Sequence, residues 1–520
     1  MFSKYIILVV HVATVAFCAN ILAIIPTPSY SHQKAYYDFW NQLSLRGHKV
    51  TVITSDPQKN ETLTNLTEID INWAYKFFAD ISDLAENSLT MWSFHKWAHD
   101  MSYNISEALL SQQQIQDFLH NKQKHFDVLL VEFFYVELLV LAEKYNCPTI
   151  LFSTMDVFVV THERIGNPTS PALYPDEGSS FYAPLSFSER IASMIYYLHT
   201  ILFYEYISHP IREKLLHMFF NTTSTINKLI DNIDMVFINA NPVIQHPRAV
   251  GPTTIYTGSL NYKFATALPK DLKHFLDNAT NGFIYFSLGS NVKSKDLKAE
   301  SLKAIVETLR ELPYKVMWKF EADPEDMVGK PDNVKLVKWA PQLGVLAHPH
   351  LKLFVTQGGL QSMDEAIFNE VPCVVIPFFA DQYQNAKLMK NKGFAEIVER
   401  SPYIKQGELT NAIMKVINNY SKYKNSVRTL KQLSLDTPMT GLEKAIWWTE
   451  YVIRNKGAKH LRNPAADLPL YQYYLLDVIC FLLSITIFTL LVIYIVLKKL
   501  LNLLKVRFST KLDLVDKKSQ

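Results

Sequence analysis

"FVTQGGLQSMDEAIFNEVPCVVIPFFADQYQNAKLM", residues 354–389, reads as a strand, a glycine turn, a helix, a second strand and a second polar loop. The opening "LFVT" is an apolar run without alternation that stops at Gln357-Gly358-Gly359. Such a run marks a parallel strand covered on both faces. "LQSMDEAIFNE" then carries helical spacing, and "CVVIPFF" is again continuously apolar before Asp381-Gln382. This is the grammar of a βαβ unit. Paired glycines let the backbone come close to a bound group, and the helix start behind them exposes unpaired N–H groups that suit an anion such as phosphate. Ser362 and Glu365, three apart, also have the spacing of a capping box.

The pattern extends upstream. "GFIYFSLGS", "YKVMWKF" and "VKLVKWAP" are strands, so a βα series opens near Gly282. A separate series runs from Asn20 to Ala240. Its strands are "ILAIIP", "HKVTVIT", "FDVLLVE" and "PTILFS", and its helices include "SHQKAYYDFWNQLSLRG", ended by Gly47, and "YVELLVLAEKY". The chain has 520 residues, whereas single cores stop growing at roughly 250–300 residues. The expected fold class is therefore α/β, with two Rossmann-like, doubly wound domains facing a cleft. They span residues 20–240 and 282–450, joined by a Pro-, Gly-, Thr- and Asn-rich linker over 241–281. Ligands in such sheets bind outside the carboxyl ends of the strands. Residues 181–220 are helical in period and unusually aromatic, which fits core, a wall for an apolar ligand, or a surface resting on a membrane.

Both termini add apolar length. Residues 1–19, MFSKYIILVVHVATVAFCA, set a lysine, a short apolar run and small residues in the order of a secretory signal peptide cut after Ala19. Residues 478–497 carry no charge and are long enough to cross a hydrocarbon core of ~30 Å, which places a transmembrane helix over 474–497, after a juxtamembrane segment over 451–473. Lys498, Lys499, Lys505 and Arg507 follow, the positive flank that marks the cytosolic side. The expected address is the endoplasmic reticulum membrane, single-pass type I, with the bulk of the chain lumenal and 498–520 as a cytosolic tail. Lys517-Lys518 has the position of a dilysine retrieval signal, and sequons at Asn60, Asn65, Asn104, Asn221, Asn278 and Asn419 fit a lumenal body. Of the four cysteines, Cys18 falls in the signal and Cys480 in the span, which leaves Cys147 and Cys373 as separate thiols and neither a disulfide framework nor a zinc pattern. A net charge of +3 without a basic stripe excludes a nucleic-acid partner.

Further loops fall at the same sheet edge as the glycine turn. "WAPQ", Trp339 to Gln342, follows a strand and offers an indole face on which a base can stack. Asp381 beside Gln382 can hold adjacent sugar hydroxyls. A stacking face, a phosphate turn, a carboxylate for ribose hydroxyls and a sugar clamp together describe a nucleotide-sugar site. The stretch from Trp339 to Gln384, with "WAPQ", "GG", "S", "EA", "P" and "DQ" in order, resembles the signature of the UDP-glycosyltransferases, in the membrane-bound group that includes the UDP-glucuronosyltransferases. "SH", "PLSFSERI", "FSLGS", the apolar anchor and the dilysine tail carry the resemblance over nearly the whole chain. It implies a GT-B fold and a UDP-sugar as co-substrate with no further cofactor. It also implies a small lipophilic acceptor such as a phenol, steroid or plant toxin, as in detoxification or hormone conjugation. The implied donor-binding residues are Ser290, Trp339, Gln342, Gln357, Gly358, Gly359, Ser362, Glu365, Asp381 and Gln382. Many vertebrate members have His where Gln357 stands, and "TQGGLQS" is closer to invertebrate and baculoviral members. Gln can donate to a diphosphate oxygen but carries no charge, so UDP-glucose is the first expectation and UDP-glucuronate the second.

The resemblance places a catalytic pair in the first domain. His32, between a strand and a helix in "PTPSYSHQK", is the expected general base. Glu132, ending "FDVLLVE", is the acid expected to orient it, where many members carry Asp. Asp127, near the start of the same strand, is the competing acid. The expected reaction transfers a hexose with inversion to an acceptor hydroxyl. No Asp-x-Asp pair occurs, so a metal-bridged diphosphate is not indicated. The alternative is a catalytically weak, membrane-tethered small-ligand-binding protein of the same fold, which a degraded His32 or Asp381-Gln382 would favour. A nucleotide-sugar oxidoreductase would want Gly-x-Gly-x-x-Gly opening the first helix, and "TPSYSHQKAYY" has none. Homo-oligomerisation is left open.

Overall fold

The computed structural model describes residues 18–78, 89–245, 247–258, 260, 266–323, 327, 329–400 and 403–516. Residues 1–17 of the signal peptide read over 1–19, and the Lys517-Lys518 signal, lie outside these described residues. Seven parallel strands form the first sheet: β1 (Asn20–Ile25), β2 (Lys49–Thr54), β3 (Leu66–Asp70), β4 (Val128–Glu132), β5 (Thr149–Ser153), β6 (Met235–Ile238) and β7 (Thr254–Tyr256), in the order β3-β2-β1-β4-β5-β6-β7. Six parallel strands form the second: β8 (Phe283–Ser287), β9 (Lys315–Lys319), β10 (Val334–Val337), β11 (Leu351–Thr356), β12 (Cys373–Val375) and β13 (Ala395–Ile397), in the order β10-β9-β8-β11-β12-β13. Each sheet is doubly wound about its first strand. The order reverses between β1 and β4 and again between β8 and β11, and these reversals open the crevices where ligands bind.

The uninterrupted apolar runs have the expected cause. Along β1, Ile21, Ala23 and Ile25 face one layer with Phe39, Trp40 and Leu43 of the helix Tyr37–Leu45. Leu22 and Ile24 face the other, with Met101, Ile105 and Leu109 of the helix Met91–Leu110. In the second sheet Ile284, Phe286, Leu353 and Val355 pack against Ile305 and Leu309 on one side and Leu409 and Ile413 on the next helix. A strand buried on both faces has no reason to alternate.

The boundaries differ from those that composition marks. Residues 254–256, inside the stretch read as a linker, pair as β7 along β6, with Val236 opposite Thr254. The helix Lys270–Asp277 follows within the same stretch. The helix Gly441–Arg454 packs Ala445, Ile446, Val452 and Ile453 into the core beneath β1 and β2, so the chain returns to the first sheet after finishing the second. Over 187–220, Tyr196, Phe203 and Tyr204 are buried while Phe187, Ile191, Ile195, Leu198 and Leu202 form an exposed apolar stripe. Of the sequon asparagines, Asn60, Asn104, Asn221, Asn278 and Asn419 are exposed, whereas Asn65 donates its amide to the Ser44 carbonyl at 3.4 Å.

The compact body runs through Asn463, and Pro464 onward forms a separate unit. That unit contains the helix Leu476–Asp516, of which Leu476–Arg507, whose most apolar 18-residue window has a mean hydropathy of 2.8, is long and apolar enough to cross a membrane.

Candidate active site

The first crevice is built by neighbouring strands. Because β1 and β4 pair in parallel, with Ile24 opposite Val131, the loop after β1 and the last residue of β4 meet although they are a hundred positions apart. His32 lies on the short helix Tyr30–Lys34 behind β1, and its Nδ1 is 2.8 Å from Glu132 Oε1. The Glu132 carboxylate is fully buried. Its other oxygen accepts from the Thr27 hydroxyl at 2.6 Å and the Thr27 N–H at 3.3 Å, which fixes it. Thr154 Oγ1 stands 3.0 Å from Nδ1. An imidazole that donates Nδ1–H to a carboxylate keeps its basic lone pair on Nε2, and the acid stabilises the cation that forms when Nε2 takes a proton. Asp127 has a different place: at the other end of β4 it accepts from the Asn20 N–H at 2.7 Å.

The second crevice holds the glycine turn. Gln357 is buried, and two glycines make its space. A Cβ on Gly289 would lie 2.1 Å from Gln357 Nε2, and one on Gly359 would lie 3.0 Å from it. Gly358 has φ +87°, and a Cβ there would stand 2.7 Å from Val375, so the turn requires glycine on both counts. The helix Leu360–Phe368 starts from Gly359 with no side-chain cap. The capping-box reading of Ser362 and Glu365 therefore gives way to another use: Gln342 Nε2 donates to Ser362 Oγ at 3.1 Å and to Glu365 Oε2 at 2.8 Å, and Gln342 Oε1 accepts from the Tyr285 hydroxyl at 3.2 Å.

Asp381 and Gln382 follow the loop after β12. Gln382 Oε1 accepts from the Phe378 N–H at 2.9 Å and shapes that loop. Asn385 donates to Asp381 Oδ2 at 2.8 Å and to the Gly358 carbonyl at 2.9 Å, tying the polar loop to the glycine turn. Burial pushes the Asp381 carboxyl up to about 6, and the Asn385 bond and the charge of His32 act against that rise. Lys34 Nζ, on the helix that bears His32, meets Glu365 Oε1 at 3.3 Å, which sets the first crevice beside the second.

A cavity of about 430 Å³ lies between the two halves. Ser290, Trp339, Gln342, Ser362 and Glu365 line it, together with Tyr30, Ser31 and Lys34 from the helix that bears His32. Trp339 is 57% exposed, its ring edge-on to Tyr30 with centroids 5.1 Å apart. Gln357, Gly358, Gly359, Asp381, Gln382, His32 and Glu132 are not among the lining residues, and the first three form the turn beneath it. Lys34, Lys319, Asn291 and Asn385 escaped sequence reading. Lys319 Nζ donates to the Gly289 carbonyl at 2.8 Å and to Glu321 at 2.7 Å, and lies 5.3 Å from the Trp339 ring centre. Asn291 Oδ1 accepts from the Ser29 hydroxyl across the cleft at 3.0 Å. No motif marks these residues.

Two doubly wound domains facing one cleft, with this site between them, define a glycosyltransferase of the GT-B class. Residues 20–511 match the family model described as UDP-glucoronosyl and UDP-glucosyl transferase, and the chain belongs to that family. It is 33% identical over 478 residues to UDP-glucosyltransferase 2 of Dactylopius coccus, covering 89% of this chain and 90% of that protein. It is 31% identical over 476 residues to human UDP-glucuronosyltransferase 2B7, covering 87% and 88% respectively. Among solved structures, a UDP-glucosyltransferase from Polygonum tinctorium superposes with a TM-score of 0.57 at 15% identity over 85% of this chain and 99% of its own, a likeness of fold.

Proposed function

We propose that the chain transfers a hexose, with inversion, from UDP-glucose in preference to UDP-glucuronate onto a hydroxyl of a small lipophilic acceptor. It works on the lumenal side of the endoplasmic reticulum membrane, held by its C-terminal helix. His32 Nε2 takes the acceptor proton as the acceptor oxygen bonds the anomeric carbon from the face opposite UDP. The bond from that carbon to the diphosphate breaks, and its electron pair leaves with UDP. Glu132 steadies the imidazolium. Trp339 stacks the uracil, Glu365 and Gln342 take the ribose, and Asp381 with Gln382 holds the hexose. Ser290 and the helix start behind Gly359, with Gln357 beneath, receive the charge that grows on the diphosphate. No cofactor or metal ion is required.

The observation that carries this reading is the 2.8 Å His32–Glu132 contact on the helix from which Tyr30, Ser31 and Lys34 wall the cavity. Apolar rings behind His32 favour a lipophilic acceptor: Phe134 is 6.2 Å from the imidazole, with Phe133 and Phe158 packed on it. The test is turnover of a phenol with each donor by the wild type and His32→Ala. The variant should lose about 10²-fold or more in kcat while still binding UDP. Normal turnover by the variant would remove His32 from the mechanism, and a preference for the uronate would reverse the donor assignment.

A further inference from the structure

Within the 430 Å³ cavity, the described lining residues include two cations, Lys34 and Lys319, and two acids, Asp364 and Glu365. A nucleotide diphosphate brings at least two negative charges, and Gln357 offers none in return. Lys319 is 7% exposed and its ammonium is already committed to the Gly289 carbonyl and Glu321. Lys34 differs. Its side chain is 33% exposed, and it ends the helix that carries His32. Its ammonium crosses the cleft to Glu365 Oε1 at 3.3 Å, while Glu365 Oε2 is held by Gln342.

That ion pair joins the acceptor half to the carboxylate proposed to take the ribose. Ribose hydroxyls arriving on Glu365 compete for the oxygen that Lys34 now holds, and the diphosphate arrives beside them. A lysine is a mobile point charge on a flexible stem, suited to move from one anion to the next. We infer that Lys34 is a donor-binding residue supplied by the acceptor half. When a UDP-sugar enters, its ammonium passes from Glu365 to the diphosphate and draws the His32 helix toward the sugar. Lys34 thereby supplies the charge that Gln357 lacks, and links donor binding to placement of the base.

The inference rests on the proposed donor site and is tested apart from it by binding UDP and uridine to the full-length wild type, Lys34→Met and Lys34→Arg. Lys34→Met should weaken UDP about tenfold and uridine by less than about twofold, since only UDP carries the charge that the ammonium meets. Added salt should weaken UDP binding to the wild type more steeply than to Lys34→Met, and Lys34→Arg should restore most of the affinity. A structural role would weaken both ligands alike, and that result overturns the assignment, as does unchanged UDP affinity in Lys34→Met. A wild type that binds no UDP sinks the donor site itself, and this assignment with it.

Discussion

Asp381 is an acid placed where ionising it is costly, and it is the residue whose protonation the donor site would feel first. Its carboxyl rises to about 6 because burial disfavours the charge, while Asn385 and the charge of His32 offset part of that effect. The folded state therefore holds a proton that the unfolded chain releases nearer the ordinary carboxylate range. The stability this contributes is present at pH below about 4 and is lost as pH rises through about 6. In the proposed role function runs the other way: a carboxylate that accepts from sugar hydroxyls must be ionised, so kcat/KM for the donor should fall as pH drops through about 6. Asp381→Asn keeps the bulk and removes the titration. Because His32 must also be unprotonated to act as the base, initial rates between about pH 5 and 8 should show an acid limb in both proteins, less steep in the variant, whose rate is lower throughout. An equally steep limb in Asp381→Asn would assign it to another group. Asp381 was legible in the sequence because a motif and a strand end coincide there. Asn385, which bonds both the carboxylate and the Gly358 carbonyl, was not, since one more polar residue in a helix carries no mark of what it faces.

The elements most readable in sequence were those with the simplest environment. β1, β4, β5, β8 and β11 are buried on both sides and so are written as continuous apolar runs. β3, "LTEID", has no fully buried residue, and β7 is three residues long, so neither leaves such a trace. The 187–220 segment was legible as helix by its period, but not in its long-range pairing. Arg212, 3% exposed, meets the fully buried Glu137 carboxylate, donates to Ser102 Oγ at 2.6 Å and reaches Ser208 Oγ at 3.3 Å. Ser106 donates to the same carboxylate. This network joins the helices Met91–Leu110 and His209–Phe220 to the turn Val136–Leu139 just beyond Glu132. Arg212→Met would leave Glu137 charged without a counter-ion in the core, at a cost of about 3–5 kcal/mol, whereas Arg212→Met with Glu137→Gln should recover a large part of it. Urea unfolding of the two variants measures the difference. Equal losses would show that the arginine acts through packing rather than charge.

The two halves are joined at more than one place, and the joint bears on how well a donor and a base can meet. The chain leaves the first sheet after β7, builds the second, and comes back as the helix Gly441–Arg454. Thr440 and Glu443 form a capping box at its start, Lys444 donates to the Tyr256 carbonyl at 3.1 Å, and Arg46 meets Glu450 at 3.1 Å. Outgoing and returning segments touch at Gly441, where a Cβ would stand 1.6 Å from the Thr257 carbonyl oxygen. No side chain fits there unless the helix withdraws from the β7 exit, and backbone on both sides of the contact leaves nothing flexible to give way. Gly441→Ala should therefore cost at least about 1–3 kcal/mol, the usual range for overpacking, and raise the KM for the donor as the crossing shifts. Gly407 supplies the comparison: near the start of the helix Gln406–Asn418, a Cβ there meets nothing within 4 Å, so Gly407→Ala should be neutral or stabilise by up to about 1 kcal/mol. Thermal unfolding and donor KM of both variants decide the matter. If Gly441→Ala matched Gly407→Ala in stability and kept the wild-type KM, the returning helix would be a passive cover on the first sheet and the cleft would be set elsewhere.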